Sequence, residues 1–128
     1  MTRHRWSLVA LAATLASPAV HAQGIVGESA LPPETAQAAV ALLGQSLKAP
    51  DAARYGRLRP GRAGAVCGEV DTTNRMGQHV GPRGFVADLG AGFAAIVPDG
   101  AELRNPTGPA HYAAMQRALA LFAANCAA

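Results

Sequence analysis

The chain has 128 residues, 50% of them hydrophobic but only 5% aromatic, with 11 basic and 8 acidic side chains and a formal net charge of +3. Such a length permits one domain with a modest core built from Ala, Val and Leu rather than from rings. The small charge excess argues against sequence-independent nucleic-acid binding, which rests on many clustered phosphate contacts.

Residues 1–22, "MTRHRWSLVALAATLASPAVHA", have the layout of a secretory signal peptide. Arg3 and Arg5 supply the positive start, Leu8 to Ala16 form an apolar run too short to span a bilayer, and Pro18 ends it. Val20-His21-Ala22 then places small residues as a cut after Ala22 requires. The expected mature chain begins at Gln23, without a cysteine to carry a lipid and without a membrane span. All of the acidic residues lie after Ala22, so removing the leader leaves the remainder close to neutral. Its only basic cluster is Arg54, Arg57, Arg59 and Arg62, a pattern more common on a solvated strand edge than in a nucleic-acid groove.

Residues 23–33, with Pro32-Pro33 at their end, read as a flexible lead-in to a single domain over 34–128. Glu34 to Leu47 is predicted as a helix, because Val40, Leu43 and Leu47 recur at helical spacing and Glu34 suits the positive end of the helix dipole. Pro50 stops it, and Asp51 can cap a short helical turn before an edge strand over Tyr55 to Arg59. Ala65 to Asp71 alternates Val66, Gly68 and Val70 against Cys67, Glu69 and Asp71, the period of a strand. Gly84 to Leu89 puts Phe85, Ala87 and Leu89 on one face and Val86 and Asp88 on the other, and Phe93 to Val97 returns after Gly90-Ala91-Gly92. Short connections favour an antiparallel meander of three or four strands. Ala101 to Gly108 reads as a loop, followed by a helix in which Met115, Leu119, Phe122 and Cys126 form one stripe. The expected fold class is therefore α+β: a first helix, a meander, and a last helix packed on the sheet.

That stripe brings Cys126 to the buried face of a helix lying on the sheet, and Cys67 sits on a central-looking strand. In the oxidising compartment implied by the leader the two are expected to form a structural disulfide. Closing a loop of about 60 residues would contribute about 4 kcal/mol in the chain-entropy model.

"SLKAPDAARY" (46–55), "VCGEVDTTNRMGQHVG" (66–81) and "GFVADL" (84–89) resemble a family of small, exported proteobacterial proteins without an assigned activity. That family carries a phrase of the type L-K-x-P-x-x-A-R-[FY] followed by V-C-G-x-V-[ND]-x-x-N-x-x-G. The resemblance covers the middle of the chain and implies the same first helix, meander and Cys-bearing last helix. Asp71 stands where the family usually has Asn, and Gln78-His79 replaces its Gly-Tyr.

The residue inventory argues against most catalytic classes. Beyond the leader the only serines are Ser29 and Ser46, neither in a G-x-S-x-G setting. His79 and His111 lie far apart with no ligand-spaced partner, so neither a metal nor a cofactor is expected. Glycines 81, 84, 90 and 92 lack the spacing of a phosphate-cradling loop. Glu69 and Asp71, two apart on one strand face with Cα atoms about 6.6 Å apart, could act as a general acid and base. The plainer reading pairs them with Arg57, Arg59 or Arg83.

The connection from Thr72 to Pro82 exceeds what a tight hairpin needs, and Asp71, Asn74, Arg75 and His79 make it the candidate binding loop. The alternative is purely architectural, with Asp71 and Asn74 closing an Asx-type turn. The expected protein is a monomeric periplasmic or secreted module that binds an envelope protein or polymer without catalysis. A small hydrolase of cell-envelope polymer, acting through Glu69 and Asp71, is the second reading.

Overall fold

The computed structural model describes residues 24–127. The leader expected over 1–22, with its cut after Ala22, lies outside the described residues. Helix α1 (Pro33–Gly44) and a single 3-10 turn (Pro50–Ala52) precede the sheet, made of β1 (Arg54–Pro60), β2 (Val66–Thr73), β3 (His79–Asp88) and β4 (Phe93–Ile96). All neighbouring strands are antiparallel and stand in chain order, a meander. A short helix α2 (Gly100–Arg104) and the long α3 (Pro109–Asn125) complete the chain.

Alternation along the strands gives the sheet two apolar faces, and each takes one helix. On the first, Tyr55, Leu58, Val66, Val70, Phe85 and Ala87 pack with Ala36, Ala39 and Leu43 of α1. On the second, Cys67 and Val86 meet Leu121, Phe122 and Cys126 at the end of α3. Ala and Gly let the layers approach closely where larger side chains would hold them apart. Gly68 shows this most sharply: a Cβ there would lie 2.6 Å from the Phe85 ring and 2.7 Å from Leu58, so only glycine admits both side chains to the core.

Strand β1 carries one extra residue between Gly56 and Arg59, and Arg57 takes φ 50° to accommodate it. Without that bulge, strict alternation from Tyr55 would send Arg57 and Arg59 into the first core and Leu58 out of it. With it, Leu58 joins Tyr55 inside, and Arg59 emerges on the face of α3. The outer edge of β1 is occupied as well. Residues 24–30 run beside it, with Tyr55 N–H donating to Gly24 (2.6 Å), Val26 N–H to Tyr55 (2.8 Å) and Ala30 N–H to Leu58 (2.9 Å). This differs from the flexible lead-in expected there: the pairing is made by backbone groups and Ile25 packs on the first core, which leaves no periodic side-chain pattern to read.

Two further differences are local. Helix α1 ends at Gly44 rather than Leu47, and Asp51 lies within the 3-10 turn without capping it. The loop expected over 101–108 contains α2, opened by a capping box in which Asp99 accepts from Glu102 N–H (2.8 Å) and Glu102 accepts from Asp99 N–H (3.3 Å). Arg83 grips Glu102 at 2.9 and 3.2 Å and the Val97 carbonyl at 2.7 Å, tying α2 to β3. His111 accepts from Thr107 N–H at 3.0 Å, which fixes the chain entering α3.

The disulfide Cys67–Cys126 is formed, with Cα atoms 5.6 Å apart and a sequence separation of 59. Beside it, buried Asn125 accepts from the N–H groups of Ala63 (2.8 Å) and Ala65 (3.0 Å) and donates to Leu121 (3.0 Å). Arg59 and Arg62 donate to the carbonyls of Cys126 (3.1 Å) and Ala123 (3.0 Å), where the helix dipole is negative. Half of the arginine cluster therefore caps the end of α3.

Candidate functional site

The β2–β3 connection is shorter than its sequence suggests. Pairing continues from Val66↔Ala87 to Asp71↔Pro82 and, after a register shift, to Thr73↔His79. Thr72–Thr73 and residues 79–82 are thus strand, and the expected long loop reduces to a turn over 74–78. The physical reason is an irregularity that the residue pattern does not show: Asp71 Oδ1 accepts from Gly81 N–H at 3.0 Å, which keeps the strands together where the ladder slips.

Within the turn Asn74 does most of the closing. Its Oδ1 accepts from Met76 N–H (2.9 Å) and Gln78 N–H (3.0 Å), its N–H donates to Gln78 (2.9 Å), and Gly77 N–H donates back to its carbonyl (3.0 Å). Gly77, at φ 76°, supplies the left-handed step. The four candidate residues separate by position. Asn74 closes the turn, Asp71 and His79 come together at the base, and Arg75 stands exposed at the tip. His79 Nδ1 faces Asp71 Oδ1 at 3.4 Å and is buried without a hydrogen-bond partner among the described residues.

Sequence reasoning missed the side chain next to Arg75. Met76 is 81% exposed, the most exposed of the large apolar side chains among the described residues, and Val80 on the outgoing strand is 57% exposed. The available signal was a methionine between Arg75 and Gly77 in a turn, where burial has no geometric route.

Glu69 and Asp71 do share a surface hollow of about 180 Å³, with Val26, Arg54, Gly56 and Pro82 around them. It is small beside pockets that enclose a ligand, roughly 300–1,000 Å³. Glu69 turns to Arg57 at 3.5 Å, an exposed pair worth little energetically, while Asp71 is engaged with Gly81. Both cysteines are in the disulfide. Among the described residues no group of three metal-ligating side chains converges, and no helix is long and apolar enough to cross a membrane. Neither a family model, nor a curated protein, nor a solved structure matches the chain.

Proposed function

We propose that the chain is a small exported module that binds an envelope protein or polymer without catalysis, through the tip of the β2–β3 hairpin. The observation that carries this reading is Met76, held out at 81% exposure beside Arg75 on a turn whose backbone Asn74 fixes. A rigid turn loses little conformational entropy when a partner covers it, so even a small apolar and cationic tip can bind usefully. The chemistry fits a partner with a shallow apolar socket rimmed by acidic groups. Methionine adapts to such a socket, and arginine supplies a planar fork for a carboxylate at its edge. Export is supported by the signal-like leader and by a formed disulfide, which persists in oxidising compartments. The hydrolase reading through Glu69 and Asp71 has less support, since both carboxylates hold partners beside an open hollow.

Site-specific photo-crosslinking tests the proposal. A photoreactive residue in place of Met76 should trap one defined envelope component, whereas the same residue at Ala63, exposed in the turn at the opposite end of the sheet, should trap none. Equal adducts at both positions, or none at 76, would overturn the reading.

A further inference from the structure

A second surface lies on the other side of the sheet, between the end of α1 and the 3-10 turn. Tyr55 projects from β1 into the core, its ring perpendicular to Phe85 with centroids 6.1 Å apart. The residue is 1% exposed. Yet its hydroxyl end lines a hollow of about 330 Å³ together with Val40, Ala41, Gly44, Gln45, Pro50 and Asp51. A methyl group placed on Gly44 would sit 3.8 Å from that oxygen and 3.5 Å from Pro50 Cβ, so the absence of a side chain at 44 is what leaves the space above the hydroxyl open. No side chain or backbone group among the described residues hydrogen-bonds the hydroxyl, which opens into the hollow rather than being sealed in the core, so a ligand seated there can reach it.

The charge around the hollow has one sign. Among the described residues that line it, Asp51 is the one acidic side chain and none is basic. The C-terminal turn of α1 forms one wall and contains no basic residue, so the negative end of the helix dipole meets no cation within that turn. Burial raises the Tyr55 hydroxyl above its ordinary value of 10.0, which keeps it neutral and able to accept a hydrogen bond. Val40, Ala41 and Pro50 supply aliphatic walls, and Gln45 adds a neutral polar side chain.

We propose that this hollow binds an aliphatic primary ammonium group. Its methylenes would lie against Val40, Ala41 and Pro50, and its nitrogen would donate to the Tyr55 hydroxyl near the Asp51 carboxylate. A carboxylate ligand would meet the negative helix end and Asp51 together, and a neutral alcohol would gain nothing from either. The ammonium can be carried by a free diamine or by a lysine side chain of another chain. The site is distinct from the hairpin tip and does not depend on the function proposed for it.

Amide NMR titration of the folded, oxidised protein tests the assignment, with cadaverine and Nα-acetyl-lysine amide as probes and with 1-pentanol and pentanoate as controls at equal ionic strength. Either amine should shift the amides of Val40, Ala41, Gly44 and Asp51 saturably, and the two controls should not. The tighter amine identifies the source, diamine or lysine. Tyr55→Phe, which keeps the ring in the core, should weaken the amine about five-fold, the size of one hydrogen bond. Gly44→Val should fill the hollow and abolish the shifts. Pentanol or pentanoate binding as well as the amines, or Tyr55→Phe binding them as well as the wild type, would overturn the proposal.

Discussion

The two ends of the sheet are built on opposite plans. At one end the β1–β2 turn is held from outside, by Asn125, the Cys67–Cys126 bond and two arginines that reach the last turn of α3. At the other end the β2–β3 turn is closed by its own residues, Asn74 with Met76, Gly77 and Gln78. The disulfide, closing a loop of some 60 positions, restricts the unfolded chain strongly, and the long-range hydrogen bonds beside it are lost only when the domain opens. Contacts across four residues close only a short local loop and can open without the rest of the domain. The first end is therefore scaffold, and the second can present side chains without the fold depending on them.

The largest break in this contrast should come from the paired substitution Cys67→Ala/Cys126→Ala. It should lower unfolding stability by about 4 kcal/mol in denaturant titrations, a large part of the roughly 5–15 kcal/mol typical of a domain. Next, Asn125→Ala strands the N–H groups of Ala63 and Ala65 and should cost about 2–3 kcal/mol with the disulfide intact. At the self-closed end, Asn74→Ala should cost only about 1 kcal/mol, because water reaches the freed donors. A cost at position 74 equal to that at 125 would erase the distinction between the ends.

The core between them gives a pH readout. The folded-state value of Tyr55 is raised by burial, so its contribution is complete below the ordinary value of 10.0 and is lost as pH rises above it, where the unfolded chain releases the proton first. Alkaline denaturation should accordingly be steeper in the wild type than in Tyr55→Phe, as measured by stability at pH 9 and above.

The same contrast decides what could be read from sequence. The scaffold end is legible because it uses side-chain periodicity: Cys67 alternates with Val66 and Val70, and Met115, Leu119, Phe122 and Cys126 read as one helical stripe, of which Met115 and Cys126 are buried and Leu119 and Phe122 half-buried, so the fold class and the disulfide follow. Features built on backbone pairing were hidden. Residues 24–30 dock on β1 through main-chain groups, and the bulge at Arg57 depends on a φ value that an arginine does not announce. The candidate site was half legible. Asp71, Asn74, Arg75 and His79 do gather on one hairpin, but a Gly-Pro pair read as a loop proved to be strand held by Asp71, and Met76 went unnoticed. Helix α2 had a visible signature in Asp99 and Glu102, but its five residues are too few to show a hydrophobic period.

The smallest expected effect on stability belongs to the tip, and it tests the division of labour most directly. The paired substitution Arg75→Ala/Met76→Ser should leave unfolding stability within about 0.5 kcal/mol of the wild type. Against the envelope component trapped by crosslinking at position 76, the unmodified wild-type protein should bind and this variant should not, with both proteins folded and oxidised. Retention of binding by the variant, or its loss only together with a collapse in stability, would contradict the account.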